Sequence, residues 1–143
     1  MANCGALSKE LTNREQVSYE GDHGLWDNNP FPNERWYFIN GICTDDNGLK
    51  LNCQRLEATF GRPVQGIYNE TNGFLVDLAE CFAQRNLNFR TRSARFAAAI
   101  IKEKLIGHRN TNDDMDVVLI GHSQGGIIVS MVLDILADDM TIT

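Results

Sequence analysis

The sequence predicts an α/β fold in which a short parallel sheet is flanked by helices, the Rossmann-like three-layer arrangement. Three observations lead there. From Trp36 onward, strand-like and helix-like segments alternate. The run Val117-Val118-Leu119-Ile120 is continuously apolar and bounded by turn residues, as in parallel strands covered on both faces. That run passes through Gly121-His122-Ser123-Gln124-Gly125 straight into a helical stripe, so a tight turn joins strand to helix.

Residues 1–35 read as an irregular lead-in and residues 36–143 as one α/β unit. Turn residues crowd the lead-in at Gly21-Asp22-His23-Gly24 and from Asp27 to Asn33, with Trp26 and Phe31 as apolar anchors. Trp36-Tyr37-Phe38-Ile39, ending in Asn40-Gly41, predicts a first strand and a turn. Leu49, Cys53, Leu56 and Phe60 recur at helical spacing, and Gly61 and Pro63 end that helix. Val64 to Tyr68 predicts a second strand, with Gly66 as a mild objection to it. A turn at Asn69 to Gly73 leads to a helix marked by Phe74, Leu78 and Phe82. A further helix follows on Phe96, Ala97, Ile100, Ile101 and Leu105, ending near Gly107. Asn110 to Asp114 is a polar loop before the apolar strand. Ile127, Ile128, Met131, Val132, Ile135 and Leu136 form one face of the last helix.

Composition narrows the function classes. The chain has 143 residues and a formal net charge of -6, which argues against a nucleic-acid partner, since phosphate backbones are met by clustered Lys and Arg. The single basic cluster, Arg85, Arg90, Arg92 and Arg95, reads as a solvated stretch leading into a helix. No apolar run approaches the ~20 residues of a membrane span. Met1 to Gln16 has no apolar secretory core, and Ala2 replaces the glycine that myristoylation requires. The four cysteines, Cys4, Cys43, Cys53 and Cys81, form no metal-ligand pattern. Cys53 and Cys81 fall on apolar helix faces, so free buried thiols in a reducing, cytoplasmic compartment are expected.

The turn at Ser123 carries the chemistry. A Ser hydroxyl is a weak nucleophile and must be exposed beside a base and an oxyanion site. A sharp strand-to-helix turn lifts it above the carboxyl end of the sheet, and crowding in that turn calls for glycine two residues to either side. Gly121 and Gly125 stand there, and Gly126 is expected to add room for close helix packing. The bare pattern would arise by chance in roughly one chain in twenty of this length; its place between a strand and an amphipathic helix is what makes it a nucleophile elbow. A phosphate loop would need Gly-Lys-Ser/Thr, which is absent, as is the dinucleotide Gly-x-Gly-x-x-Gly. Oxyanion donors in such a site are the N–H after the nucleophile, here Gln124, and one from the loop after a neighbouring strand. Asn40-Gly41 ends the first strand, so Ile42 or Cys43 would supply it. The strand at 36–40 should then lie between those at 64–68 and 117–120, all parallel, with Ser123 at φ > 0 or in another sparsely populated region.

The segment from Trp36 to Asp139, about three quarters of the chain, resembles the N-terminal half of the α/β-hydrolase fold in its lipase and serine-esterase branch. Gly121-His122-Ser123-Gln124-Gly125-Gly126 is a frequent form of the elbow there, and Asn40-Gly41 stands where many members have His-Gly. Ile39 to Arg85 is similar to a group of fungal lipase-like proteins, with the GPI inositol-deacylase-like esterases a more distant comparison. The resemblance implies hydrolysis of an acyl-ester or lipid-like substrate through an acyl-enzyme on Ser123, without cofactor or metal. His122 would be structural, because that position does not serve as the base in the family.

The triad pattern departs from that family. There the acid and then the His follow the Ser on later strands, but no His follows Ser123, and Asp134, Asp138 and Asp139 lie on the next helix. His108 precedes the elbow strand and His23 lies in the lead-in. The chain therefore reads as the front half of a larger hydrolase: a fragment, a shortened gene product or a pseudoenzyme. The alternative function is a non-catalytic remnant that binds a partner or acyl ligand. Its Val117–Ile120 strand would form an exposed sheet edge open to association.

Overall fold

The computed structural model describes residues 18–41, 44–69, 92–109 and 115–141. In chain order the elements are α1 (His23–Asp27), β1 (Glu34–Ile39), α2 (Asp46–Phe60), β2 (Val64–Ile67), α3 (Arg92–Arg109), β3 (Asp116–Gly121) and α4 (Gln124–Thr141). The helix expected at Phe74 to Phe82 lies outside the described residues, as do Cys4, Cys43 and Cys81.

The strands form one parallel sheet in the order β2-β1-β3, with Phe38 opposite Gly66 on one side and Ile120 on the other. This is the expected order, and handedness explains where the helices go. The step from β1 to β2 runs one way across the sheet and the step from β2 to β3 runs back. Right-handed crossovers in opposite directions put their helices on opposite faces. Accordingly Leu49 and Cys53 of α2 are buried with Phe38 and Val64. Ala94, Ala97, Ala98 and Ile101 of α3, and Ile128, Val132, Ile135 and Leu136 of α4, are buried against Tyr37, Ile39 and Ile67 on the other face.

Local chemistry sets the element ends. Asp45 caps α2 by accepting the Gly48 N–H at 2.7 Å, and Gly61, left-handed at φ 62, stops it. Gly66 belongs in β2 because a Cβ there would sit 3.0 Å from Cys53 Sγ and 3.1 Å from Leu49; its bareness lets α2 lie close on the sheet. Phe60, read as part of the buried stripe, is 48% exposed and leans on Trp36 with ring centroids 5.2 Å apart.

The part of the lead-in that is described carries more order than its composition suggests. Tyr19 bridges Gly66 antiparallel, α1 makes one turn capped by Asp22, and β1 begins two residues before Trp36. The cause is buried Glu57. It accepts from the Asp22 N–H at 2.8 Å, the Val64 N–H at 3.0 Å and the Tyr19 hydroxyl at 2.9 Å, fastening the lead-in to the amino end of β2. Among the described residues, no helix is long and apolar enough to cross a membrane.

Candidate active site

In a parallel sheet, ligands bind beyond the carboxyl ends of adjacent strands whose connections leave toward opposite faces. Here β1 is followed by α2 on one face and β3 by α4 on the other. The crevice between the ends of β1 and β3 is that switch point, and Gly41 and Ser123 meet in it.

Ser123 lies between β3 and α4, is exposed, and has φ 55. It is the one non-glycine residue with positive φ among the described residues, a strained conformation that the surrounding turn must hold. His122 N–H donates to the Ile39 carbonyl at 3.2 Å, Gly125 N–H to the His122 carbonyl at 2.9 Å, and Gly126 N–H to the Ser123 carbonyl at 3.0 Å. Gln124 takes the first position of α4, where a backbone N–H has no acceptor within the helix, beside the positive end of the helix dipole.

Crowding accounts for two of the three elbow glycines. A Cβ on Gly121 would lie 2.5 Å from the Gly125 carbonyl oxygen. A Cβ on Gly125 would overlap the Ile39 carbonyl oxygen and sit 2.9 Å from that of Asn40. Gly126 differs from expectation. It is exposed, and a Cβ there would meet only the Gly121 carbonyl oxygen, at 3.9 Å, so close packing does not require glycine at that position.

Gly41 is buried against the elbow. A Cβ on it would stand 2.8 Å from the His122 carbonyl oxygen and 2.9 Å from Ser123 Cβ. The turn ending β1 therefore touches the nucleophile's backbone. Ile42 and Cys43, the expected second oxyanion donors, lie outside the described residues. His122 is exposed and lines a cleft of about 250 Å³ with Phe38, Asn52, Arg55, Leu56 and Thr59.

Beneath the elbow, Gln124, expected as an oxyanion donor through its N–H, joins two asparagines expected only as turn residues. Asn40, Asn69 and Gln124 are 0%, 1% and 2% exposed. Asn40 Oδ1 accepts the Asn69 N–H at 2.7 Å, and Asn40 Nδ2 donates to the Gly41 carbonyl at 2.9 Å, with a longer 3.4 Å contact to the Asn69 carbonyl. Asn69 Nδ2 donates to Gln124 Oε1 at 2.8 Å. Among the described residues, Asn69 Oδ1 and Gln124 Nε2 are buried and have no hydrogen-bond partner. The only sequence signal was an Asn at the carboxyl end of both β1 and β2.

The other residues weighed as triad members stand apart. His23 sits on α1, next to Asp22 and so at the amino end of β2, across the sheet from Ser123. Asp139 on α4 pairs with Lys102 of α3 at 2.8 Å. The shifted titrations also lie elsewhere. Burial pushes the Cys53 thiol and the Tyr37 hydroxyl each up to about 12. Burial and the hydrogen bond to Glu57 raise Tyr19, while hydrogen bonds from Trp36 and Arg62 hold Glu34 below the ordinary carboxylate value. Among the described residues, no group of three or more His, Cys, Asp and Glu side chains could hold a metal ion.

Comparison with protein-family models, with curated proteins and with solved structures returns no match to this chain.

Proposed function

We propose that this chain carries the nucleophile elbow of a serine ester hydrolase of the lipase and esterase type. Ser123 attacks the acyl carbonyl, and the N–H groups of Gln124 and of Ile42 or Cys43 receive the oxyanion. The observation that carries the reading is Ser123 at φ 55 in a strand-to-helix turn, with the Gly41 backbone pressed against it. An inert βα turn has no need to hold an exposed serine in that conformation. The base and its acid partner would come from outside the residues that stand at Ser123 here.

The second reading is a binding or interaction module on the same face. It is favoured by the placement of the other triad candidates among the described residues: His23 lies across the sheet from Ser123, and Asp139 pairs with Lys102.

The test is phosphonylation by a fluorophosphonate, with hydrolysis of short p-nitrophenyl esters measured alongside. Without a base, a Ser-based site keeps only about 10³–10⁴-fold catalysis over water, so this chain alone should turn over esters near background and label weakly. Strong labelling lost in Ser123→Ala would reveal a base already in reach, to be sought by replacing His23 and His108 in turn. Labelling that becomes strong only when a segment bearing an acid and a histidine is supplied supports the hydrolase. Absence of Ser123-dependent labelling under both conditions favours the binding module.

A further inference from the structure

We propose that Asn40, Asn69 and Gln124 form a buried amide clamp that positions the oxyanion-hole backbone around Ser123. The inference rests on the ester-hydrolase reading above and names positioning residues for that site.

The three side chains come from the carboxyl ends of β1 and β2 and the start of α4, so they tie together the three places where the sheet surrounds the switch point. The links act on the backbone of Gly41 and Asn69 and on the side chain of Gln124. Asn40 Nδ2 holds the Gly41 carbonyl at 2.9 Å. This fixes the orientation of the Gly41 carbonyl, in the turn whose backbone is packed against Ser123. Asn69 Nδ2 holds Gln124 Oε1 at 2.8 Å, which fixes the side chain of the residue whose own N–H is the other donor. Asn69 also donates its backbone N–H to Asn40 Oδ1 at 2.7 Å, so the two donor-bearing segments are set relative to each other through one residue.

The cost of this arrangement argues for a role beyond packing. Three fully buried amides and two polar atoms unpartnered among the described residues are a poor way to fill a core, because each buried unpaired group is unfavourable and apolar residues of the same shape would serve better. An oxyanion hole, by contrast, depends on donors fixed before the charge develops.

The experiment compares Asn69→Leu, Gln124→Met and the double variant with the wild type. Ser123-dependent phosphonylation is measured at pH 9, where hydroxide replaces the missing base, together with melting temperature and amide exchange at His122, Gly125 and Gly126. Each single variant should lose stability by leaving its partner's amide unpaired. In the double variant both partners are apolar, so most of the melting temperature should return. The phosphonylation rate should nonetheless stay down by about tenfold or more, because displaced donors cost rate steeply. The three elbow amides should exchange faster while Ile101 in the α3 core does not. Recovery of the rate along with stability in the double variant would make the clamp merely structural and overturn the proposal, as would single variants with unchanged rate and exchange. If the wild type shows no Ser123-dependent labelling either alone or with a segment bearing an acid and a histidine supplied, the hydrolase reading falls and takes the oxyanion role with it. Exchange confined to the elbow would then still support a clamp on Ser123, and unchanged exchange would end that too.

Discussion

At Gly125 a single hydrogen atom in place of a side chain lets α4 start directly against the end of β1. A methyl group there collides with the Ile39 carbonyl oxygen, and neither backbone can retreat without opening the sheet. Gly125→Ala should destabilise by about 3 kcal/mol and abolish any Ser123 reactivity. Gly126→Ala has open space and a φ that is not positive, and should stabilise by up to about 1 kcal/mol through helix propensity. Chemical denaturation of both variants checks the pair, and equal losses would sink the steric account. Cys53 and Tyr37 make a second residue-scale case. Their ordinary values are 9.0 and 10.0, and burial raises both to about 12. The folded state thus keeps protons that the unfolded chain gives up, so stability present below pH 9 declines as pH rises toward 12. Each group contributes about 1.4 kcal/mol per pH unit within its window. Denaturation profiles from pH 8 to 11 should show this slope, and Cys53→Ala should flatten its onset.

Elements here are held by a few polar side chains as much as by apolar faces. Glu57, on the last turn of α2, gathers the lead-in and the start of β2 on one carboxylate. Removing it orphans two backbone N–H groups and the Tyr19 hydroxyl. Glu57→Leu should cost about 3 kcal/mol and release the lead-in, seen as proteolytic cleavage between Ser18 and Asn33 before the rest of the chain is cut. Cleavage that appears everywhere at once would mean that the lead-in is not a separately fastened element. α2 also shows how an apolar stripe can mislead. Leu49 and Cys53 are fully buried, whereas Phe60, one turn past Leu56, is half exposed and leans on Trp36.

For the whole molecule, the steps from β1 to β2 and from β2 to β3 run in opposite directions across the sheet, and that reversal creates the crevice where Gly41 and Ser123 meet. The price is β3, an edge strand among the described residues, whose Val117 to Ile120 are only half buried. An apolar edge with free backbone groups is a template for pairing. Sedimentation should show concentration-dependent association, reduced in Val118→Lys, which places a charge on that edge outside either core cluster. A wild type that stays monomeric throughout would show that the edge is already protected.

What depends on neighbours along the chain is legible in the sequence: the strand runs at 36–39, 64–68 and 117–120, the helical stripe from Leu49 to Phe60 with its Gly61 stop, and the strand–turn–helix that places Ser123 in a sparsely populated conformation. These are short-range matters of periodicity, capping and steric need, and each is written within a few residues. The parallel order with β1 in the middle was also legible, because a turn after β1 that serves Ser123 has to lie next to it. The rest follows from packing between distant parts of the chain. That Asn40, Asn69 and Gln124 share one buried cluster, that Glu57 gathers bonds from the lead-in alongside the contacts of Trp26 and Phe31, and that Gly126 has room to spare all depend on groups far apart in the chain. Polar residues at strand ends read as solvent-facing turns, and their burial arises only when three strands end side by side beneath a helix start.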